Sequence, residues 1–594
     1  MCGLVCTVGG PDAVRDRVGA AVNSLKTRGP DAQVMRSLAD ATFGHTRLSI
    51  IGLGDEGAQP RGENNGLLVF NGEIYNYREL AAELGIRAKS DVEVVYEVCR
   101  RGLNSWISKL RGMYAFVYYD HVEEVVVAAR DPFGIKPLYF DESSNPGINF
   151  ASTVAALRIL APHSEPDVES LVSFLASGLM IDGRSAFMGI RKFPSGEVWT
   201  WTKSGNEWKR ESVFKVPIGS WPIQTVQSAL INSVEAHLVS DVEVGVLLSG
   251  GIDSTLIAAL ASKTVGDLRT YSLTNPENPA IDESLLAAHN AKLLGSIHHE
   301  IPANPRDLGR QSEVLVATIG EPFSDAAYLP LSLLSSVVAQ DVKVVLAGEG
   351  ADELFGGYRR YDAERLLSIK GAGTLLHYLA RAGSLDQRFI GKPSPAFRTL
   401  GAAARNGSAE QHAYLMFYEW DLIRRVFGKN AEIAWREFHR SWDSVSEDIW
   451  SFDLSSNRAY DLRVWLPNVF LEKSDRASMA HGLEVRTPFL DPVVAIAAMQ
   501  IKPRNSRKLV LREYLETLLP GVQLPRRKRG LSVDTSTLNR LEFAGVIERT
   551  LHDSNSVLVQ MGLRDQEFFS QSVSSNQALA FRVAMVGLWQ EKWL

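Results

Sequence analysis

Two constellations of residues in this chain could carry chemistry, and each would perform one half of a single reaction. The first begins at Cys2, in Met1-Cys2-Gly3-Leu4. With Met1 removed, Cys2 would hold both a thiol and a free α-amine, a nucleophile and a base in one residue. A thiol of pKa about 8.5 is only a few per cent ionised near neutrality, and an α-amine of pKa about 7.7–8.0 can take its proton. Attack on an amide builds an oxyanion that needs donors. Asn71-Gly72-Glu73 offers a side-chain amide and an unobstructed backbone N–H. An amino-acid substrate also needs a cation for its carboxylate and an anion for its amine; Arg47 and Asp91 are the candidates. On position alone, Cys2 would read as a small buried residue near a frayed end.

The second constellation is Ser249-Gly250-Gly251-Ile252-Asp253-Ser254, between the apolar run Val242–Leu248 and a helical stretch, Thr255–Ala261. Glycines let backbone N–H groups approach an anion, and a helix N-terminus adds partial positive charge. No Gly-x-x-x-x-Gly-Lys-Ser/Thr motif occurs, which excludes the usual kinase-type phosphate loop. A lone Ser-Gly-Gly is weak evidence. A second loop, Ala347-Gly348-Glu349-Gly350-Ala351-Asp352-Glu353, sharpens it by placing acidic residues at another strand end, where open α/β sheets bind ligands. Asp253 and Asp352 could share a magnesium ion, which needs only one or two carboxylates beside phosphate oxygens.

The elements that must position these residues change character along the chain. Leu67–Phe70, Ala115–Asp120, Val125–Arg130 and Ile148–Ala151 read as strands, and Val14–Leu25 and Val92–Arg101 as helices. Strands joined by short turns predict antiparallel sheets flanked by helices, an α+β layered domain. From about Pro217, Val242–Leu248, Leu268–Leu273 and Val342–Leu346 read as buried parallel strands with crossover helices. The boundary falls within Thr202–Pro222, and after about Asp362 the pattern is mostly helical.

With 594 residues, two or three domains are expected. A net charge of −6 gives no reason to expect nucleic acid, and no apolar run approaches the roughly 20 residues of a membrane span. Three cysteines, Cys2, Cys6 and Cys99, fit a reducing cytoplasm and lack zinc-site spacing.

Residues 1–150 resemble the glutamine-hydrolysing domain of the N-terminal-nucleophile amidotransferases. The resemblance rests on Met1-Cys2-Gly3, Arg28-Gly29-Pro30-Asp31, His45-Thr46-Arg47-Leu48-Ser49-Ile50, Asn71-Gly72-Glu73-Ile74-Tyr75-Asn76, Arg111-Gly112-Met113 and the run from Ala129 to Leu138. It implies Cys2 as nucleophile, Asn71 and Gly72 as oxyanion hole, and Arg47 and Asp91 as the grip on glutamine. Glu73 and the backbone around Leu48, Ile50 and Ile51 would line the pocket. The loops at Ser249–Ser254 and Gly348–Tyr358, with Leu471-Glu472-Lys473-Ser474-Asp475-Arg476 and the following residues to Asp491, resemble the synthetase domain of the glutamine-dependent asparagine synthetases.

That likeness implies a four-layer αββα glutaminase domain over 2–210 and an α/β, parallel-sheet, ATP-pyrophosphatase-like domain rich in helices over 220–594. It further implies that a carboxylate attacks the α-phosphate of ATP and that ammonia displaces AMP from the acyl-adenylate. Lys473 would neutralise charge at the reacting centre, with Glu349 as its acidic partner. Leu248, Ser249, Gly250, Gly251, Asp253, Ser254, Leu273, Ala347 and Gly348 match nucleotide-contacting positions. The basic run Arg526–Gly530 resembles a segment near the pyrophosphate. The implied ligands are glutamine, ATP, Mg2+ and a carboxylic acid; a homodimer is expected from the resemblance alone.

L-aspartate is the leading acceptor. Glu243, Tyr271-Ser272-Leu273-Thr274 and Leu531–Asp534 depart from the family pattern, which leaves another carboxylic acid as the alternative; Thr153 after Ala151-Ser152 is a separate departure, which predicts that this loop meets its neighbour differently. A ring-closing synthetase without glutaminase activity is a further rival. Intact Cys2, Arg47, Asn71 and Asp91 argue against it.

Overall fold

The computed structural model describes the chain except residues 1, 63–64, 144–146, 181–182, 206, 219–220, 277, 279–281, 383–393, 446–454, 502–507, 526–530 and 532. The basic run Arg526–Gly530 therefore lies outside the described residues.

The first unit is built from two antiparallel sheets stacked face to face. One runs in the order Ala32–Leu38, Ala41–Arg47, Gly3–Val8, Ile148–Ala151, Tyr139–Asp141, Ile190–Lys192. The other runs Glu207–Lys215, Glu197–Ser204, Val125–Arg130, Gly112–Asp120, Gly66–Ile74. Period-two alternation explains the stacking. Leu4, Cys6 and Val8 meet Leu67, Val69, Val117 and Tyr119 between the sheets. Val5 faces outward against Val18, Val22 and Leu25, while Leu68 and Phe70 face outward against Leu80, Val94 and Val98. Helices Val18–Ser24 and Val154–Leu160 cover one outer face, and Tyr77–Leu84 and Asp91–Arg100 the other. The result is the expected αββα layering.

The expected helix Val14–Leu25 is broken into Asp12–Arg15 and Val18–Ser24. The expected end of this unit at residue 210 falls inside Glu207–Lys215, which pairs along its length with Glu197–Ser204. Backbone pairing carries the sheet to Lys215, five residues further, through an edge strand of mostly exposed, charged side chains.

The second unit centres on a five-stranded, fully parallel sheet in the order Ile297–Pro302, Arg269–Thr274, Val244–Leu247, Val344–Leu346, Glu484–Arg486. Chain order reverses between Val244–Leu247 and Val344–Leu346. That makes a topological switch point, where the loops leaving adjacent strands diverge and open a crevice. Residues 248–254 and 347–353 leave the sheet at this point. Most of the remaining chain is helical, ending in Gln577–Trp593, whose Trp589 is buried and donates to the Gly320 carbonyl at 2.9 Å. No helix among the described residues is long and apolar enough to cross a membrane.

Candidate active sites

Cys2 lies just before the central strand Gly3–Val8, and three backbone contacts fix it. Its N–H donates to Asn71 Oδ1 at 3.0 Å, the Gly3 N–H donates to Thr46 Oγ1 at 3.0 Å, and its carbonyl accepts from Arg28 Nε at 3.3 Å. Burial pushes the Cys2 thiol up, opposed by the chain's terminal amine and a hydrogen bond from the Leu48 backbone. Because Asn71 Oδ1 accepts from Cys2, its Nδ2 is left over, buried and without a hydrogen-bond partner among the described residues. A buried amide with nothing to donate to is costly unless something completes it. Gly72 allows close strand approach: a Cβ there would sit 2.1 Å from the Met113 carbonyl oxygen.

The expected glutamine grips are held by their own backbone. Arg47 Nη1 donates to the Gly54 carbonyl at 2.8 Å and Nη2 to that of Gly52. Leu48, Ile50 and Ile51 are buried. Asp91 begins helix Asp91–Arg100, whose Ser90–Glu93 capping box sets its entry angle. Its oxygens accept from the Ile74 N–H at 3.0 Å and the Val92 N–H at 2.9 Å. Burial nevertheless pushes Asp91 up to about 6. Burial and the nearby Asp91 carboxylate also push Glu73 well above the usual carboxylate range.

The conspicuous Ala129–Leu138 run proves to be architectural. Arg130 is fully buried, and its guanidinium donates to the carbonyls of Lys136, Phe193 and Gly134 at 2.7, 2.7 and 2.9 Å. Asp131 accepts from the N–H groups of Phe133, Ile135 and Lys136. Together they tie the loop into a fixed shape.

At the switch point, Gly250 has φ +76°, and Ser249 Oγ lies 3.0 Å from Ser254 Oγ, closing the turn that starts helix Ile252–Ala261. Leu248 and Ala347 are buried and Leu273 half-buried near the carboxyl ends of their strands. The two loops touch: a Cβ on Gly348 would come 2.7 Å from Asp253 Cβ. Asp253 and Asp352 do converge, and the cation between them is Lys508, with Nζ 2.5 Å from Asp253 Oδ2 and 2.7 Å from Asp352 Oδ1. Lys473 is buried on helix Leu471–Met479, its Nζ 3.5 Å from Asp325 Oδ2 and 4.0 Å from Glu349 Oε1. Burial opposes its charge, but Glu349 and Asp325 outweigh it and hold the pKa above the ordinary lysine value. Ser474 Oγ also donates to Glu349 at 3.2 Å.

The sequence reading missed several of these residues. Asp325 and Lys508 carry no local signal, since each is a single charged residue in a loop or at a helix start. Arg28, Glu484 and Arg486 lay inside matching segments without a role. The structure brings them to the joint between the units. Arg28 pairs with Asp475 at 2.8 Å, Arg486 with Glu484 at 2.6 Å and with Glu73 at 3.4 Å, and Arg111 with Asp491 at 2.8 Å. The Lys136 ammonium is buried there without a hydrogen-bond partner among the described residues; burial lowers its pKa, opposed by the charges of Asp475, Glu484 and Asp131.

Comparison with known proteins gives the same division. Residues 1–212 match the family model of a glutamine amidotransferase domain, and residues 225–593 that of asparagine synthase. The class is therefore a two-domain amidotransferase, an αββα unit joined to a doubly wound nucleotide-type sheet. The chain is 32% identical over 540 residues to the glutamine-hydrolysing asparagine synthetase 1 of Bacillus subtilis, covering 85% of this chain and 82% of that one. It is 30% identical over 597 residues to a putative glutamine-hydrolysing asparagine synthetase of Mycobacterium tuberculosis, covering 90% and 87%. An amidase of Penicillium rubens, chyE, is 29% identical over 397 residues, 59% of this chain and 56% of its own. The chain belongs to the asparagine synthase family.

Proposed function

We propose that this protein is an ATP-dependent, glutamine-hydrolysing amide ligase whose leading product is L-asparagine, formed from L-aspartate. The observation that carries the reading is the pairing of Cys2 with Asn71, which leaves a buried amide N–H beside a buried thiol.

Once Met1 is removed, the α-amine of Cys2 takes the thiol proton and the sulfur attacks the glutamine side-chain carbon. Asn71 Nδ2 donates to the oxyanion; collapse expels ammonia, and water then releases glutamate from the thioester. Arg47 and Asp91 hold the substrate's carboxylate and ammonium. At the switch point, a carboxylate oxygen of the acceptor attacks the α-phosphorus of ATP, and pyrophosphate leaves. Ammonia adds to the acyl carbon and AMP departs with the bonding electrons. Lys473 offsets charge at the acyl-phosphate centre, with Glu349 and Asp325 keeping it protonated. Sealing this path from water protects both the acyl-adenylate and unprotonated ammonia.

The donor set suits Mg2+: two convergent carboxylates, with Asp253 Oδ1 buried and lacking a hydrogen-bond partner among the described residues. Bound there with ATP, the ion would supply charge neutralisation at the phosphates. Lys508 balances the pair without it.

Two residues that depart from the family pattern have side-chain partners in or beside the sheet. Glu243 pairs with Arg269 at 3.3 Å, and Tyr271 donates to Asp341 at 2.5 Å while filling the space that Gly245 leaves. They concern sheet packing, so L-aspartate keeps its place as first candidate.

The test combines glutamate release by wild type and Cys2→Ala with a mass-spectrometric screen of carboxylic acids for ATP- and glutamine-dependent amides. Hydrolysis that survives Cys2→Ala would refute the nucleophile. Amide formation from another acid, with none from L-aspartate, would refute the acceptor and leave the mechanism standing.

A further inference from the structure

We infer that Asp475, a residue of the synthetase domain, positions the glutaminase nucleophile by holding Arg28 against Cys2; the inference rests on the proposed role of Cys2. Arg28 uses all three edges of its guanidinium. Nη1 and Nη2 donate to Asp475 Oδ2 and Oδ1 at 2.8 and 3.1 Å, and Nε donates to the Cys2 carbonyl at 3.3 Å. Both side chains are nearly inaccessible, Arg28 at 5% and Asp475 at 3%. A two-point carboxylate fork fixes the plane of a guanidinium as well as its place. With that plane fixed, Nε can point in only one direction, toward the peptide that carries the thiol.

The other two anchors of this peptide, Asn71 and Thr46, come from the glutaminase domain itself. The third, Arg28, also belongs to that domain, but its guanidinium is held from across the domain boundary by Asp475, in the same helix turn as Lys473. Neighbouring side chains of that helix are clamped likewise: Glu472 accepts from Tyr139 at 2.8 Å and pairs with Lys192, and Arg476 donates to the Tyr139 hydroxyl. The helix carrying the synthetase lysine is thus a rigid part of the glutaminase site, and the nucleophile is held in full only when the two domains are docked.

The test measures glutamate release by the full chain. Asp475→Asn keeps the shape and removes the charge, and should lower kcat about tenfold or more while KM for glutamine stays within about twofold, the pattern of a displaced nucleophile. Asp475→Glu, which retains the charge, should recover most of the loss and serves also if the asparagine variant folds poorly. Arg28→Lys in the Asp475→Asn background should cost little more, because the two side chains act as one unit. Arg111→Gln, which breaks a different cross-domain pair away from Cys2, should leave kcat within about twofold. Wild-type rates in Asp475→Asn, multiplicative losses in the double variant, or an equal loss in Arg111→Gln would each overturn the inference. Wild-type protein that releases no glutamate would instead overturn the proposed function.

Discussion

The two sites of this protein strike a different balance in how they handle buried charge and polarity. Around Cys2, polar atoms are left without partners: Asn71 Nδ2, Glu73 Oε2 and Lys136 Nζ are buried with no hydrogen bond among the described residues. At the switch point, the main charges are balanced by the protein's own cations, Lys508 between Asp253 and Asp352 and Lys473 between Asp325 and Glu349. On the proposed mechanism the first arrangement is organised in advance for a neutral amide, whose carbonyl would complete the network as it becomes an oxyanion. The second faces a polyanion, and binding must exchange internal ion pairs for pairs with phosphate. Preorganisation suits the one, and charge exchange the other.

The largest expected effects separate the two sites outright. Cys2→Ala should abolish glutamate release while ammonia-dependent amide formation continues. Lys473→Met should do the reverse, lowering AMP release by on the order of 10³-fold while glutamine is still hydrolysed. Loss of both activities in either variant would mean that the sites are not separable. Next in size, Asn71→Ala removes the proposed oxyanion donor and should cost about 10²–10³ in glutaminase kcat, read by glutamate release at saturating glutamine. An unchanged kcat would show that the unpartnered amide has no part in the chemistry.

How much of this was legible in the sequence follows from the same contrast. The segments that carry Cys2, Asn71, Gly72 and the Gly-rich strand ends could be picked out because each motif is contiguous. The parallel strands could be read because Val244–Leu247 and Val344–Leu346 are short apolar runs closed by glycine. The edge strand Glu207–Lys215 could not, since alternating exposed charges such as Lys209 and Glu211 look like loop. Lys508, Asp325 and Asp475 were out of reach for a different reason. Each acts through a partner more than a hundred residues away, and a lone charged side chain reports nothing about what the fold will set against it. Two of the departures from the family pattern, Glu243 and Tyr271, have partners within the sheet that their sequence neighbours do not reveal: Arg269 for the first and Asp341 for the second.

A smaller effect sharpens the idea of charge exchange. Lys508→Met leaves two largely buried carboxylates facing each other, at a cost of about 3–5 kcal/mol for breaking such a pair. The melting temperature of the nucleotide-free protein should fall by several degrees, and millimolar Mg2+ should restore part of the loss in the variant and do little for wild type. A variant as stable as wild type without Mg2+ would mean that Lys508 does not balance the pair.

The smallest and most specific effect concerns pH. Burial pushes Asp91 up to about 6, against two backbone N–H groups that favour its ionised form. If Asp91 grips the substrate ammonium it must be ionised, so KM for glutamine should rise about tenfold for each pH unit below 6 and level off above about 7. Asp91→Asn should raise KM and flatten this dependence. Unfolding does not mimic the effect, and the sign shows why. A carboxyl whose pKa is higher folded than unfolded holds its proton more tightly in the native state, so its ionisation lowers stability as pH rises from about 4 to 6. Acidification through that window therefore stabilises the fold at Asp91 while it weakens glutamine binding, and the two can be separated by measuring KM and melting temperature on the same samples.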